Sequence, residues 1–161
     1  MGHSGINVLF EGRNFTRLLG GLWTSVWIAV LSLIIGLALG ALFGVLRTSK
    51  SRLVKVIFRI YLEFFRMVPT VVLLFLFYYI LPRQFNLNWP ASIMAVIAFA
   101  LWVSAEFSDI VRGALISVPK IQRESGLALG LNKWQLFIYV LLPQAFQLEL
   151  PATINLATRV I

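Results

Sequence analysis

The 161-residue chain has no cysteine and a single histidine, His3, beside its N-terminus. Without thiols it can form no disulfide, thiolate nucleophile or cysteine metal site. Acidic residues are also scarce, because six Asp and Glu stand against 14 Lys and Arg and leave a formal net charge of +8. Glu106 and Asp109 are the only candidates for a catalytic pair, and no histidine lies near them. A membrane-embedded enzyme is therefore a weak interpretation.

Charge is missing altogether between Arg17 and Arg47. This apolar run exceeds the roughly 20 residues that a helix needs to cross a bilayer, and it is too long for the apolar region of a signal peptide. Hydrophobic residues make up 60% of the chain and charged residues 12%, with a mean hydropathy of +0.89. Soluble domains are far more polar. The composition predicts an integral membrane protein whose first helix is an uncleaved span.

Four apolar segments predict four membrane spans, at about residues 18–46, 56–81, 91–111 and 135–161. The connections after the first and third spans, together with Arg59 one turn into the second span, carry nine basic residues: Arg47, Lys50, Arg52, Lys55, Arg59, Arg112, Lys120, Arg123 and Lys133. The opposite side carries three: Arg13, Arg17 and Arg83. Basic connections face the cytoplasm, so we expect the 1–17 tail to be extracytoplasmic. Basic residues placed this way report topology and do not indicate nucleic-acid binding.

Three glycines in the first span recur every four residues, at Gly36, Gly40 and Gly44. This spacing lays positions without side chains along one helix face, where another helix backbone can approach closely. The alternative is the ordinary tolerance of membrane helices for glycine. We expect close helix packing along this face.

The second span carries Glu63 and Arg66, three residues apart. That spacing allows the two side chains to neutralise each other at the inner membrane boundary. Pro69 follows one turn later, and proline removes a backbone donor and clashes with the preceding turn. The sequence therefore predicts an ion pair followed by a kink.

The third span ends with Glu106, Asp109 and Arg112, which are spaced three residues apart. Acids at such depth are costly unless they face a cavity or a partner, so they are candidates for a solute path. An ion-pair network at the inner boundary explains the spacing equally well. The final span adds polar or helix-disturbing groups that we expect to need neighbours, and these are Glu149, Pro151, Asn155 and Arg159.

A short amphipathic helix is predicted at about residues 119–131, on the cytoplasmic side. Pro119 suits the first turn of a helix, and apolar residues alternate with polar ones after it. By periodicity alone this helix could also lie on lipid headgroups.

This region reads Glu124-Ser125-Gly126, three residues, Gly130, nine residues, Val140, one residue, Leu142-Pro143. At every spacing it resembles the cytoplasmic signature of the membrane subunits of bacterial binding-protein-dependent ABC importers: Glu-Ala-Ala, three residues, Gly, nine residues, Ile, one residue, Leu-Pro. Gly126 replaces an alanine and is expected to weaken the helix slightly. The flanks look like the polar amino-acid permeases over roughly residues 21–161, and the matching segments are Glu63-Phe64-Phe65-Arg66, Pro69, Ala105-Glu106, Arg112-Gly113 and Leu142-Pro143-Gln144-Ala145. Met67-Val68 departs from the small pair usual there.

The resemblance implies an all-α, type I ABC importer permease-like helical bundle in a bacterial plasma (inner) membrane, with a fifth span after residue 161. It implies no cofactor. It implies three protein partners: a separate ABC ATPase subunit, a second permease subunit (identical or homologous) and an extracytoplasmic solute-binding protein. The residues expected to couple to the ATPase are Glu124, Ser125, Gly126, Gly130, Leu131, Leu142 and Pro143. Those expected along the translocation path are Glu63, Arg66, Pro69, Glu106, Asp109 and Asn155.

Two further observations limit the function. The chain has no G-x-x-x-x-G-K-[ST] motif, so it cannot be the ATPase by that mechanism. A secondary transporter or channel subunit would explain the glycines and the acids within the spans. It would leave the motif from Glu124 to Pro143 unexplained.

Overall fold

The computed structural model describes residues 13–86 and 88–160. This part of the chain is helical and contains no strand; its helices are α1 (Asn14–Leu46), α2 (Arg52–Met67), α3 (Thr70–Phe85), α4 (Ala91–Ser117), α5 (Lys120–Ala128) and α6 (Lys133–Thr158). The first 12 residues of the predicted tail, with His3, lie outside the described residues. So does Ile161, the last residue of the predicted fourth span.

Helices α1, α4 and α6 are each long and apolar enough to cross a membrane. Helices α2 and α3 meet that test only together, and they are bent by 104° at the break between them. The expected kink at Pro69 is present as this sharp break. Val68 is extended, with ψ 125°, because the ring of the following proline disfavours helical backbone at the preceding residue.

The predicted boundaries shift at two other places. Helix α4 continues to Ser117, beyond the predicted end at residue 111. Helix α5 ends at Ala128, before residue 131, because the chain turns there into a left-handed glycine, Gly130.

The three glycines of α1 form a stripe, Gly36, Gly40 and Gly44, that packs directly on α4. A Cβ atom added at Gly36 would lie 2.6 Å from the Cβ of Val103, and one added at Gly44 would lie 2.6 Å from the Cβ of Val111. Partners on α4 advance along the sequence together with the glycines, so α1 and α4 are parallel. The predicted close packing is confirmed, and its partner is a helix of the same chain.

Helix α4 is the centre of the bundle and packs against α1, α2, α3 and α6. Its buried residues are small or medium-sized: Met94, Val96, Ala98, Ala100, Val103, Ser104, Ala105, Ser108, Ala114 and Leu115. The buried serine hydroxyls donate to backbone carbonyls, for example Ser108 Oγ to Ala105 O at 2.8 Å. Such bonds satisfy polar groups without water, as the interior of a membrane protein requires.

Two single-turn π-helical segments interrupt α3 and α6, at Leu76–Ile80 and Phe137–Leu141. Each ends two residues before a proline, Pro82 or Pro143. Proline lacks an N–H and its ring clashes with the carbonyl four residues earlier, and a wider turn at that point accommodates both effects. Both helices continue past their prolines for this reason.

Candidate functional site

The motif region folds as a helix, a tight turn and a second helix. At the end of α5 the Leu131 N–H donates to Gly126 O at 3.1 Å, and the Gly130 N–H donates to Leu127 O at 3.0 Å. Gly130 has φ +82°. Together these features form a Schellman motif, in which glycine at the left-handed position satisfies the last carbonyls of the helix.

The two motif glycines serve different purposes. A Cβ added at Gly130 would meet nothing within 4 Å, so the requirement there is the left-handed backbone and not space. A Cβ added at Gly126 would collide with Cδ1 of Leu136. Gly126 was expected only to weaken α5; its position shows that its small size lets α5 pack on the start of α6.

The first turn of α6 is fixed by a capping box. The Asn132 side chain accepts hydrogen bonds from the backbone N–H groups of Trp134 and Gln135, at 3.0 and 2.9 Å. The Gln135 side chain accepts in return from the Asn132 N–H at 2.9 Å. Reciprocal caps of this kind satisfy otherwise unpaired donors. The turn between α5 and α6 is therefore held at both ends.

Helix α5 presents most of its side chains outward. Glu124 and Ser125 are exposed, and so are the apolar residues Ile121, Leu127 and Leu129. The buried residue of α5 is Gly126, and Leu131 after it is half-buried. Exposed apolar side chains on and beside a short, tethered helix provide a surface suited to a partner.

The remaining motif residues, Leu142 and Pro143, lie on α6 immediately after its π-helical segment. Both are exposed. The structure thus brings Glu124 to Leu131 and the start of α6 together, and Leu142 and Pro143 stand about two turns further along α6.

A charged cluster at α4 consists of Arg47, Arg66, Glu106 and Asp109. Asp109 accepts from Arg47 Nη2 and from Arg66 Nη1, each at 3.0 Å. Arg66 Nε also lies 3.2 Å from Glu106 Oε1, and Arg47 Nη1 donates to the Ser108 hydroxyl at 3.2 Å. The cluster joins the end of α1 and the last turn of α2 to α4.

This arrangement corrects two expectations. Glu63 and Arg66 do not pair with each other, since Glu63 Oε1 binds Arg59 Nε at 2.8 Å on an exposed face of α2. Arg112 is not a member of the charged cluster and instead lines two cavities with Arg47 and Lys55. Helical spacing finds partners only on the same helix, and the acids of α4 attract arginines from two others.

A second polar group lies between α4 and α6. Glu106, Asn155 and Arg159 line a cavity of 120 Å³ together with three apolar residues, Ile110, Ala152 and Leu156. Glu106 therefore belongs both to the charged cluster and to this cavity. The neighbours that Asn155 and Arg159 were expected to need come in part from α4. Glu149 lines a different, largely apolar cavity of 240 Å³ beside α1 and α4.

The sequence did not predict that Arg47 belongs to the charged cluster. There Arg47 served only as one of the basic residues that set the expected orientation in the membrane. The Arg47 side chain is 11% exposed, and its two terminal nitrogens bind Ser108 and Asp109. Its only sequence signal is its place at the end of an uncharged span. Pro69 is exposed at the break between α2 and α3, away from the polar groups that line the α4–α6 cavity.

Comparison with known proteins gives concordant results. The model of the family described as "Binding-protein-dependent transport system inner membrane component" matches residues 32–161. The L-cystine transport system permease protein TcyB of Bacillus subtilis is 36% identical over 138 residues, which are 86% of this chain and 58% of that protein. The glutamine transport system permease protein GlnP of Escherichia coli is 37% identical over 147 residues, 91% of this chain and 63% of that protein. The chain thus spans about three fifths of the length of these relatives.

A solved structure is also similar, described as the "Crystal structure of an amino acid ABC transporter with histidines". It matches with a TM-score of 0.80 and 27% identity, over 99% of this chain and 76% of that one. The expected all-α permease fold is thereby confirmed, and so is the family suggested by the Glu124–Pro143 motif. The chain belongs to the family of binding-protein-dependent transport system inner membrane components.

Proposed function

We propose that the chain is a membrane-spanning permease subunit of an ATP-binding cassette importer for a polar amino acid, in a bacterial inner membrane. The names of its relatives support an amino-acid substrate. The relatives carry different amino acids, cystine in one case and glutamine in the other, so the proposal extends to the class of substrate and not to one member.

The observation that carries the proposal is the exposed surface of α5 at the end of a rigid turn. Ile121 and Leu129 are uncovered beside Glu124, while Gly126 packs on Leu136 and Gly130 fixes the turn. A separate ATPase subunit with an apolar groove would bury these side chains. Since α5 is held against α6, movement of that groove would be transmitted to the spans.

The polar cavity between α4 and α6 supports a role in substrate passage. Glu106 and Arg159 line it with opposite charges, beside the amide of Asn155. A free amino acid carries an ammonium and a carboxylate group, which match an acid and a guanidinium respectively. Glu106, which also pairs with Arg66, and Asn155 are the predicted path residues that reach this cavity. Asp109 and Arg66 are engaged with each other, and Glu63 is engaged with Arg59.

The assembled importer would contain a second permease subunit, identical or homologous, and an extracytoplasmic solute-binding protein. ATP hydrolysis would take place on the ATPase subunit. The excess of basic residues at the α1–α2 and α4–α6 connections favours a cytoplasmic position for α5.

The test is amino-acid uptake by cells that express the chain, extended by the fifth span that the family resemblance implies, with a cognate ATPase and solute-binding protein. Gly130→Val should abolish uptake and weaken co-purification of the ATPase, because a β-branched residue cannot easily adopt φ +82°. Gly113→Ala is the matched control, since its added Cβ would approach only Glu149 Oε1, at 3.8 Å. Persistence of both uptake and ATPase association in Gly130→Val would show that this turn does not couple the two subunits.

A further inference from the structure

A basic cleft opens at the end of the bundle where α1 and α4 stop and α6 begins. Its volume is 490 Å³. Its cationic lining is Arg47, Lys55, Arg112, Arg123 and Lys133. These residues come from α1 or its cap, α2, α4, α5 and α6, so the fold gathers onto one cavity cations that are far apart in sequence.

The charge of the cleft is largely uncompensated. No acidic residue is among the described residues that line it. The positive charge of Arg47 is neutralised by its ion pair with Asp109. A neighbouring cavity of 350 Å³ shares Arg47, Lys55 and Arg112 and adds the pair formed by Arg59 and Glu63. Positive charges held close together repel one another, and an anion placed between them would relieve that repulsion.

Apart from Thr48, the rest of the cleft lining is apolar. Its other lining includes Leu115, Ile116, Leu127, Leu136, Phe137 and Leu141. A free inorganic anion would use the cations alone and leave this wall unoccupied. A molecule with an anionic head and an apolar body would contact both. The position at the ends of membrane-spanning helices provides such molecules, because phospholipid headgroups lie at that level.

We propose that the basic cleft binds the phosphate headgroup of an anionic phospholipid, with its glycerol and first acyl carbons against the apolar wall. Clusters of basic residues between spans recognise such headgroups by charge. An acidic protein surface is a poorer fit, because Arg47 and Arg112 are not fully exposed and a folded surface would have to enter the cleft to reach them. The bound lipid would bridge Arg123 and Leu127 of α5 to α4 and α1, and so steady the helix proposed to couple to the ATPase.

The experiment uses the purified full chain in detergent and titrates it with dioleoylphosphatidylglycerol, dioleoylphosphatidylcholine or inorganic phosphate. Bound lipid is counted by native mass spectrometry. We expect phosphatidylglycerol to be retained more strongly than phosphatidylcholine, and millimolar phosphate not to displace it. Lys133→Gln and Arg112→Gln should each weaken phosphatidylglycerol binding about fivefold. Lys120→Gln is the matched control, because Lys120 is basic and on α5 but does not line the cleft.

A second measurement does not depend on the folding of variants. Phosphatidylglycerol carrying a diazirine near the glycerol should label wild-type peptides that contain Leu127, Leu136 or Phe137. Equal loss of phosphatidylglycerol binding in Lys120→Gln, or labelling spread evenly over all helices, would contradict the proposal. Either result would show that the lipid is attracted to the positive charge of the protein in general and that the cleft is not a specific binding site. Displacement by free phosphate would identify an inorganic anion as the ligand and overturn the lipid assignment. Displacement by the ATPase subunit would likewise overturn it in favour of protein docking.

Discussion

Replacing a glycine of the α1 stripe by alanine tests the packing of the bundle most directly. The chosen sites are Gly36 and Gly44, whose added Cβ atoms would each lie 2.6 Å from a valine Cβ of α4. A Cβ atom is fixed to its own backbone and cannot rotate away. Relief therefore requires the two helices to move apart, since the optimal carbon–carbon separation is about 3.5–4.0 Å.

The separation needed is roughly 1 Å, and a gap of that size forfeits about a quarter to a half of the dispersion energy of each affected contact. Overpacking of this kind costs about 1–3 kcal/mol. Alanine returns about 0.5–1 kcal/mol over glycine inside a helix. Each substitution should therefore lower the free energy of unfolding by up to about 2.5 kcal/mol.

Gly20 and Gly21 provide matched controls on the same helix. A Cβ added at either would meet nothing within 4 Å, so only the helix-propensity gain of about 0.5–1 kcal/mol remains. The assay is unfolding of the purified protein in mixed detergent micelles. The predicted quantity is the difference between stripe and control variants, about 1–3 kcal/mol. Equal stabilisation of Gly36→Ala and Gly20→Ala would refute the close approach of α1 to α4.

Three further predictions concern the turn, the charged cluster and the orientation of the chain. Gly130→Asn should be tolerated better than Gly130→Ala in thermal unfolding and ATPase co-purification. Asparagine adopts the left-handed backbone at lower cost than the about 1–2 kcal/mol that other residues require. Equal losses of stability and of ATPase association in the two variants would show that the positive φ is not the cause. Asp109→Asn should destabilise the protein by about 1–3 kcal/mol because it leaves two arginines without their shared acid. Glu63→Gln should shift the unfolding curve much less, because its ion pair with Arg59 is exposed. Similar unfolding curves for the two variants would contradict this. Cysteines at Ser51 and Gln84 should react with an impermeant reagent from opposite sides of the membrane, and the chain offers no native cysteine to confuse the result; labelling of Ser51 from outside would reverse the topology.

The features that the sequence predicted best depend on backbone chemistry. Gly36, Gly40 and Gly44 recur every four residues and so lie on one helix face. A face without side chains allows a second membrane helix to pack closely against it. Pro69 breaks a helix for reasons internal to its own ring. Each of these properties is local and can be inferred without knowing the neighbouring helices.

Side-chain pairing was predicted poorly because it depends on the neighbours. Glu63 and Arg66 are correctly spaced to pair, yet the fold sends Arg66 to Asp109 and leaves Glu63 with Arg59. Arg47 ends an uncharged run and was therefore interpreted as a topology marker. Its burial against Ser108 and Asp109 follows from the parallel packing of α1 on α4. That packing cannot be inferred from the residue spacing within one helix. The basic cleft could not be predicted from the sequence for the same reason, because five helix regions contribute residues to it.

The contacts of α5 with α4 and α6 determine how a force applied at α5 would reach the rest of the bundle. Two residues, Val118 and Pro119, join α4 to α5, and Val118 is buried in an apolar cluster with Leu136 and Leu141 of α6. The charged cluster then joins α1 and α2 to α4, and the glycine stripe continues the α1–α4 contact. We infer that α1, α4 and the start of α6 would move as one packed body. The stripe variants test this as well. If the body must be stiff for transport, uptake should fall in Gly36→Ala and Gly44→Ala in proportion to their loss of stability, and an unfolding change without any change in uptake would separate packing from coupling.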